Sequence, residues 1–440
     1  MKYFIETLGC PKNEVDSRMA EGVLEKAGYE KAGEPSEADI ILVNTCAFIQ
    51  DAKEESIQTI FEMAGYKEGR CRLLAVTGCL GQRYNEELFE EMPEADLIIG
   101  VNDYSRLPEL LEEALEKGRI RKQSFDCGIF EEFPGIAAEV RNASAYLKIA
   151  EGCNNCCTYC VIPQIRGGYR SRRKEEILEE AGELVRQGAK ELVLIAQDVT
   201  NYGTDLYEDY VLADLLSDLG KVEGLKWIRL MYCYPDKITP RLVEEIRDNP
   251  KVCKYIDMPV QHGSDKILKA MNRKSTKAQI MDVVRMLRKE VPDIAIRTTI
   301  IVGFPGEKAA EFDELYDFVE EMRFDRMGVF AYSKEENTPA GQMKPQVRQD
   351  VKERRRDALM QLQQGISLEN NLKRVGEICE VLVEEGPDEE NGYLGRTSRD
   401  AAEIDNAVIF SSRKKLEPGT FVRVKITDAF DYDLTGEVQG

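Results

Sequence analysis

The chain has 440 residues, enough for about three domains, and 42% of them are hydrophobic, which supports ordinary globular cores. Lys and Arg number 60 against 81 Asp and Glu, a net charge of −21, which excludes a broadly basic, nucleic-acid-binding surface and favours a basic protein partner. No apolar run of about 18 residues is present to span a membrane, and the start MKYFIETLGCPKN lacks a signal peptide's apolar core and cleavage site. A cytoplasmic protein is expected, and its twelve cysteines point to metal or redox chemistry over disulfides.

Residues 1–118 alternate short apolar runs with amphipathic stretches. KYFIETL, DIILVNT, RLLAVT and DLIIG read as buried strands, with helical spacing over Glu14 to Ala27 and Ala52 to Met63. That order predicts an open parallel α/β sheet. A cysteine follows each of the first three strands: Cys10 in LGCPKN, Cys46 in NTCAFI and Cys79 in TGCL. Ligands bind at the carboxyl edge of such sheets, so three thiols on neighbouring strand ends can converge into a cluster site built from distant segments. The alternative is that they are small buried hydrophobes capping strands. Cys71, Cys127, Cys233, Cys253 and Cys379 lack any such spacing and read as structural.

Residues 119–143 carry no periodicity and contain Pro134 and Gly135, so they read as a linker. From Ala145 the pattern resumes with six candidate strands, AYLKIA, ELVLIA, WIRLMY, YIDMPV, AIRTTIIV and MGVFAY, separated by helical stretches. Repeated β–α units predict a barrel, and six are too few for closure at about eight, so a partial (βα)6 barrel with a lateral opening is expected. Chemistry in this architecture sits at the carboxyl ends of the strands.

Just past the first of these strands lies EGCNNCCTYCVIPQIR, where Cys153, Cys157 and Cys160 are spaced Cys-x3-Cys-x2-Cys. Three thiolates on one short loop can hold three irons of a 4Fe–4S cube and leave the fourth iron open to a ligand. The competing reading is zinc or buried free thiols. A structural zinc needs a fourth ligand in paired spacing, and the only histidine, His262, is far away in sequence. Cys156 breaks the register and reads as a bystander. Tyr159 is placed to lie near a bound adenine, or to pack. Arg166, Arg170, Arg172, Arg173 and Lys174 are placed to pair with a cofactor carboxylate or an acidic substrate side chain, or to form a solvated charge run.

Other strand ends are candidates by position. Gln197 and Asp198 follow ELVLIA, and Pro259, Gln261 and His262 follow the fourth strand; His262 is equally a hydrogen-bonded core residue. Gly303, Phe304, Pro305, Gly306 and Glu307 follow AIRTTIIV, where GFPGE either approaches a ligand or turns into the next helix. Residues 345–374 read as a long helix leading to a final domain, 372–440, of about five short strands and an OB-like β-barrel. Residues 371–440 carry a net charge of −6, a poor fit to phosphate and a better one to a basic protein.

LGCPKN, NTCAFIQDAKEES, TGCL, EGCNNCCTYCVIPQIRG, AQDVTNYG, PVQHGSDKIL and IVGFPGE together resemble the radical S-adenosylmethionine methylthiotransferases, over essentially the whole chain. LGCPKN and NTCAFI look like the RimO type, which modifies an aspartate of ribosomal protein twelve of the small subunit, rather than the tRNA-adenosine type. The resemblance implies an α/β protein with three domains: a methylthiotransferase domain over 1–118, a radical S-adenosylmethionine core with its connecting helix over 144–371, and a TRAM domain over 372–440. It implies two 4Fe–4S clusters, one on Cys10, Cys46 and Cys79 and one on Cys153, Cys157 and Cys160, with S-adenosylmethionine contacted by Tyr159, Gln197, Asp198, Gly303 and Glu307. In the implied mechanism one S-adenosylmethionine methylates sulfur on the first cluster. A second, cleaved at the other cluster, generates the substrate radical that captures the methylthio group. No side chain is assigned as catalytic. The implied partners are a basic small-subunit ribosomal protein met through the TRAM domain and a flavodoxin- or ferredoxin-type reductant. No membrane is involved, and nucleic acid enters only as part of the ribosome. An electron-transfer protein would need one fully ligated cluster, and an RNA-binding module a basic terminal barrel; neither pattern is present.

Overall fold

A computed structural model describes residues 1–124, 140–388 and 392–439. The chain divides into two compact units, one comprising Met1–Glu139, Glu151–Cys156 and Cys160–Arg172, the other Val140–Ala150, Cys157–Tyr159 and Arg173–Gly440.

The first unit is built on six parallel strands: β1 (Lys2–Thr7), β2 (Glu30–Lys31), β3 (Ile40–Thr45), β4 (Leu73–Thr77), β5 (Leu97–Ile99) and β6 (Ile120–Lys122), in the order β2-β1-β3-β4-β5-β6. Every residue of β3 and β4 is buried, as expected where helices cover both faces of a parallel sheet. Alternation sends Ile41, Val43, Leu74 and Val76 into one core and Ile40, Leu42, Leu73 and Ala75 into the other. Ile60 and Leu88, from helices Gln50–Ala64 and Asn85–Glu91, fill the first core. Leu24 and Leu107, from helices Pro11–Lys26 and Leu107–Lys117, fill the second. Val161 and Ile165, from the segment after Cys160, also join the first core. Strand β6 falls inside the stretch read as a linker, and β2 was not expected; both are short and polar, held by ladder bonds that leave no apolar signature. Residues 125–139 of that stretch, with Cys127, lie outside the described residues.

Two short strands, β8 (Ala150–Glu151) and β9 (Arg170–Ser171), flank the cysteine loop in sequence. The second unit holds six more parallel strands: β7 (Ser144–Lys148), β10 (Glu191–Ile195), β11 (Trp227–Leu230), β12 (Val252–Asp257), β13 (Ala295–Val302) and β14 (Arg326–Ala331), in the order β14-β13-β12-β11-β10-β7. The sheet is the six-stranded, unclosed form expected. The long helix is Gln349–Leu372. It leads to a closed five-stranded barrel of β15 (Ile378–Asp388), β16 (Gly392–Thr397), β17 (Val408–Ser411), β18 (Phe421–Ala429) and β19 (Leu434–Val438) around Val381, Val383, Phe410, Val424 and Ile426.

Within this unit the barrel is fastened to the amino-terminal ends of the sheet strands. Glu191, at the start of β10, accepts from Arg229 Nε on β11 (2.8 Å), Arg396 Nη1 on β16 (3.0 Å) and Ser144 Oγ (2.7 Å). All three charged groups are buried. Burial alone would raise the Glu191 carboxyl, but Arg396 and Arg229 outweigh it and hold it down to about 2. Arg326 Nη2 pairs with Asp400 at 2.6 Å. Residues 403–407, ahead of β17, form no strand; the Asp405 carboxylate is drawn to Tyr255 Oη (2.6 Å), Arg297 Nε (3.2 Å) and the Ala401 N–H (3.0 Å). With these fastenings at the amino ends, the carboxyl ends of the strands carry the candidate chemistry.

Candidate metal centres

In the first unit β1, β3 and β4 are neighbours, and their carboxyl ends deliver Cys10, Cys46 and Cys79 to one place. Cys10 precedes the helix Pro11–Lys26, Cys46 follows β3 directly, and Cys79 lies in the first turn of the helix Gly78–Arg83. Burial pushes the Cys46 thiol up and Cys79 to about 11. Nearby thiolates add to the rise, Cys10 acting on Cys46 and both Cys10 and Cys46 on Cys79. Buried thiols grouped in this way surrender their protons to a soft metal centre and not to water.

Two glycines make the cradle. Gly9 has φ +90°, and a Cβ there would stand 2.7 Å from Cys46 Cβ and 2.9 Å from its Sγ. Gly78 has φ +88°, and a Cβ would stand 2.4 Å from Asn44 Oδ1 and 2.5 Å from Thr45 O. Only glycine combines left-handed backbone with this clearance. Asn13 then clamps the segments together: its Nδ2 donates to Leu8 O (2.8 Å) and Thr45 O (3.0 Å), the chains leading to Cys10 and Cys46. Ser56 Oγ donates to Cys46 O and accepts from Cys46 N, both at 3.0 Å.

Arg166 belongs to neither sequence reading of its basic run. It is buried in the first unit, where Nη2 donates to Asn13 Oδ1 (2.8 Å) and Cys79 Sγ (3.5 Å), while Nη1 lies 2.7 Å from Asp16 Oδ2 and 3.1 Å from Glu151 Oε2. Burial would lower the guanidinium, but Asp16, Glu151, Cys79 and Cys10 hold it well above its ordinary value. Of the other cations, Arg170 is half-buried and its Nη2 donates to Arg166 O (3.4 Å), Arg173 is exposed, and Lys174 pairs with Asp218 at 2.8 Å.

In the loop, Cys153 and Cys160 belong to the first unit and Cys157 to the second. Cys153 Sγ accepts from Asn155 N (3.5 Å) and Nδ2 (3.4 Å), and Cys160 Sγ accepts from Ile162 N (3.4 Å). Arg273 Nη1 stands 3.9 Å from Cys157 Sγ, with its Nη2 on Pro259 O (2.7 Å) and its plane 4.3 Å from the Tyr234 ring centroid. N–H donors and cations at sulfur suit iron–sulfur ligation. Cys156, at φ +50°, is exposed. Among the described residues no three His, Cys, Asp or Glu side chains are drawn tightly enough to share one metal ion. A cubane asks for something else, one iron for each thiolate.

The other candidates lie at strand ends of the second unit. Tyr159 packs edge-on against Phe304, centroids 6.4 Å apart, beside the apolar cluster of Ile267, Met271 and Tyr332. Gln197 directly follows Ala196 at the end of β10, and Asp198 caps the next turn, accepting from Thr200 Oγ1 (2.8 Å) and pairing with Lys237 Nζ (2.5 Å). The Glu307 carboxylate folds back into its own loop: Oε2 accepts from Gly303 N (2.8 Å) and lies 3.3 Å from His262 Nε2, and Oε1 pairs with Arg355 (2.7 Å). The side of Gly303 where a Cβ would project is occupied by Lys352. His262 Nδ1 accepts from Ser264 N (3.0 Å), which places the ring proton on Nε2, toward Glu307. It is the hydrogen-bonded core histidine. Cys71, Cys233 and Cys253 are buried, Cys71 with its Sγ on Leu73 O (3.3 Å), and Cys379 Sγ contacts Val424 O at 3.7 Å.

Sequence reasoning missed Asn13 and Arg273, and it named Arg166 without foreseeing the buried pair with Asp16 and Glu151. Arg166 stands in a basic run that suggests solvent, and nothing marks Arg273. The glycine directly before Cys10 and before Cys79 was the one available sign of the cradle.

Three family models match the chain: Uncharacterized protein family UPF0004 over residues 2–100, the Radical SAM superfamily over 147–319, and the TRAM domain over 375–438. A protein of Clostridioides difficile named ribosomal protein uS12 methylthiotransferase RimO is 50% identical, covering 100% of this chain and 99% of that one. Its namesake from Thermoanaerobacter is 49% identical, covering 98% and 99%. Among solved structures, the radical S-adenosylmethionine methyltransferase TsrM from Kitasatospora setae aligns with TM-score 0.58 at 14% identity, over 77% of this chain and 74% of that one. The cobalamin-dependent S-adenosylmethionine radical enzyme OxsB aligns with TM-score 0.55 at 15% identity, over 82% and 56%. These structural likenesses show the fold alone.

Proposed function

Since the chain belongs to the RimO family of ribosomal protein uS12 methylthiotransferases, we propose that it adds a methylthio group to the β-carbon of one aspartate in that ribosomal protein. The observation that carries this reading is the meeting of Cys10, Cys46 and Cys79 at three adjacent strand ends, in a chain that also holds the Cys153, Cys157, Cys160 loop. Soft thiolate donors, N–H groups aimed at sulfur and a glycine cradle fit a 4Fe–4S cluster at each set.

When bound, the two clusters and S-adenosylmethionine supply the sulfur and the one-electron chemistry that side chains lack. The chain's own residues bind and orient. Arg273 sets a cation beside Cys157, and Gly9 and Asn13 hold the strand-end thiols in register. Tyr159, Gln197 and Gly303 would hold S-adenosylmethionine, and Asp198 and Glu307 shape the loops that carry Gln197 and Gly303. No side chain is needed as acid or base, because an unactivated C–H bond is beyond proton transfer.

The first domain runs from residue 1 through β6 at Lys122, the core with its connecting helix covers 144–371 and the barrel 372–440. The acidic C-terminal barrel suits a basic ribosomal protein, a flavodoxin- or ferredoxin-type protein supplies electrons, and the enzyme works in the cytoplasm. No helix among the described residues is long and apolar enough to cross a membrane. The test is mass spectrometry of a uS12 peptide containing the target aspartate, incubated beside tRNA with the anaerobically reconstituted protein. Methylthio on the peptide is expected; methylthio on tRNA alone refutes the substrate assignment in favour of the adenosine-modifying relative.

A further inference from the structure

A fully buried arginine is costly to desolvate, so its surroundings must explain it. Arg166 is 2% exposed, and its two nitrogens divide their work. Nη1 faces Asp16 at 2.7 Å and Glu151 at 3.1 Å, and these carboxylates hold the charge in place. Nη2 faces away from them, to Cys79 Sγ at 3.5 Å and Asn13 Oδ1 at 2.8 Å. Asn13 in turn grips Leu8 O and Thr45 O, the backbone that leads to Cys10 and to Cys46. One guanidinium therefore touches one strand-end thiol directly and the segments of the other two through a single amide. A purely structural ion pair would need neither the sulfur nor Asn13.

We propose that Arg166 is the positioning and redox-tuning residue of the cluster held by Cys10, Cys46 and Cys79. The inference rests on the assignment of those cysteines as ligands. Hydrogen bonds and positive charge at a ligating sulfur stabilise the more negative, reduced state, so the cluster's reduction potential rises. Arg166 also stands six residues beyond Cys160, and its partner Glu151 two residues before Cys153. The segments that bracket the radical-generating loop are thus pinned to the sulfur-carrying site within the first unit.

The test uses the full chain in which Cys153, Cys157 and Cys160 are replaced by alanine, leaving one cluster to read. After anaerobic reconstitution this parent should hold about four irons per chain. If it does not, the ligand assignment has failed and not the role of Arg166. Arg166→Lys keeps a cation for Asp16 and Glu151 but loses the fork that reaches Cys79. A folded R166K with about four irons and a more negative midpoint potential, followed by electron paramagnetic resonance, is the expected result. A folded R166K that has lost its iron also supports the role, as loss of positioning. An unshifted potential with iron retained overturns it. Should R166K fail to fold, Glu151→Gln decides: freeing the cation toward Cys79 should move the potential in the positive direction, and no movement overturns the proposal.

Discussion

Replacing Gly9 by alanine should remove the strand-end cluster while leaving the fold. The φ of +90° costs a non-glycine residue roughly 1–3 kcal/mol. The added Cβ meets Cys46 Cβ at 2.7 Å and Sγ at 2.9 Å, where carbon contacts settle near 3.5 Å, and such overpacking costs roughly 1–3 kcal/mol more. The sum, roughly 2–6 kcal/mol, is a large part of a typical domain's 5–15 kcal/mol, and its clash share is relieved cheaply by moving Cys46 about 0.8 Å while the backbone strain stays. Metal ligation tolerates errors of about 0.2 Å, so the relief that saves the fold sacrifices the ligand. Iron per chain after anaerobic reconstitution should fall from about eight to about four, with the circular-dichroism spectrum retained. Gly28→Ala is the control, since Gly28 has φ +84° and nothing within 4 Å of the position a Cβ would take. It carries the backbone strain alone and should keep about eight irons. Full iron in G9A, or equal loss in G28A, would refute the reasoning.

Glu191→Gln leaves Arg229 buried without its carboxylate and Arg396 with Glu384 alone, and should destabilise the second unit by roughly 3–5 kcal/mol in urea unfolding. Trp227, the only tryptophan, packs 4.7 Å from Phe421 beside this network and reports the transition by fluorescence. Glu191 is held down to about 2 from 4.5, so its stabilisation of about 3 kcal/mol is complete above pH 4.5 and is lost as pH falls toward 2. Acid titration of Trp227 should show that loss in the parent, and a component that persists unchanged in E191Q would contradict it. Cys156→Ser should leave the iron count and peptide modification untouched, because that thiol is exposed between the ligands; loss of iron would make it a ligand.

What was legible in the sequence followed from periodicity. The runs IILVNT and LLAVT are apolar because both faces of a parallel sheet are buried, so β3 and β4 and the cysteines beyond them could be placed by eye. The six strands of the second sheet and the five of the barrel were readable for the same reason. Strands β2 and β6 were not, because they are two and three residues long and mostly polar. The candidate site was legible at its cysteines and opaque around them. Asn13 looks like a turn residue in PKN, yet its amide reaches Thr45 O, 32 residues away, and so joins two strand ends. Arg166 looks like surface charge, and only its packing against Asp16 and Glu151 shows that it is interior. Glu307 was read as favourable at a helix start or near a ligand, whereas its carboxylate closes its own loop on Gly303 and His262.

The most direct test of two separate three-thiolate centres is iron analysis with Mössbauer spectroscopy on two triple variants, Cys10→Ala/Cys46→Ala/Cys79→Ala and Cys153→Ala/Cys157→Ala/Cys160→Ala. The unmodified chain should hold about eight irons and each variant about four, all in cubane form. A variant that keeps the full count, or one that loses every iron while still folded, would contradict the account.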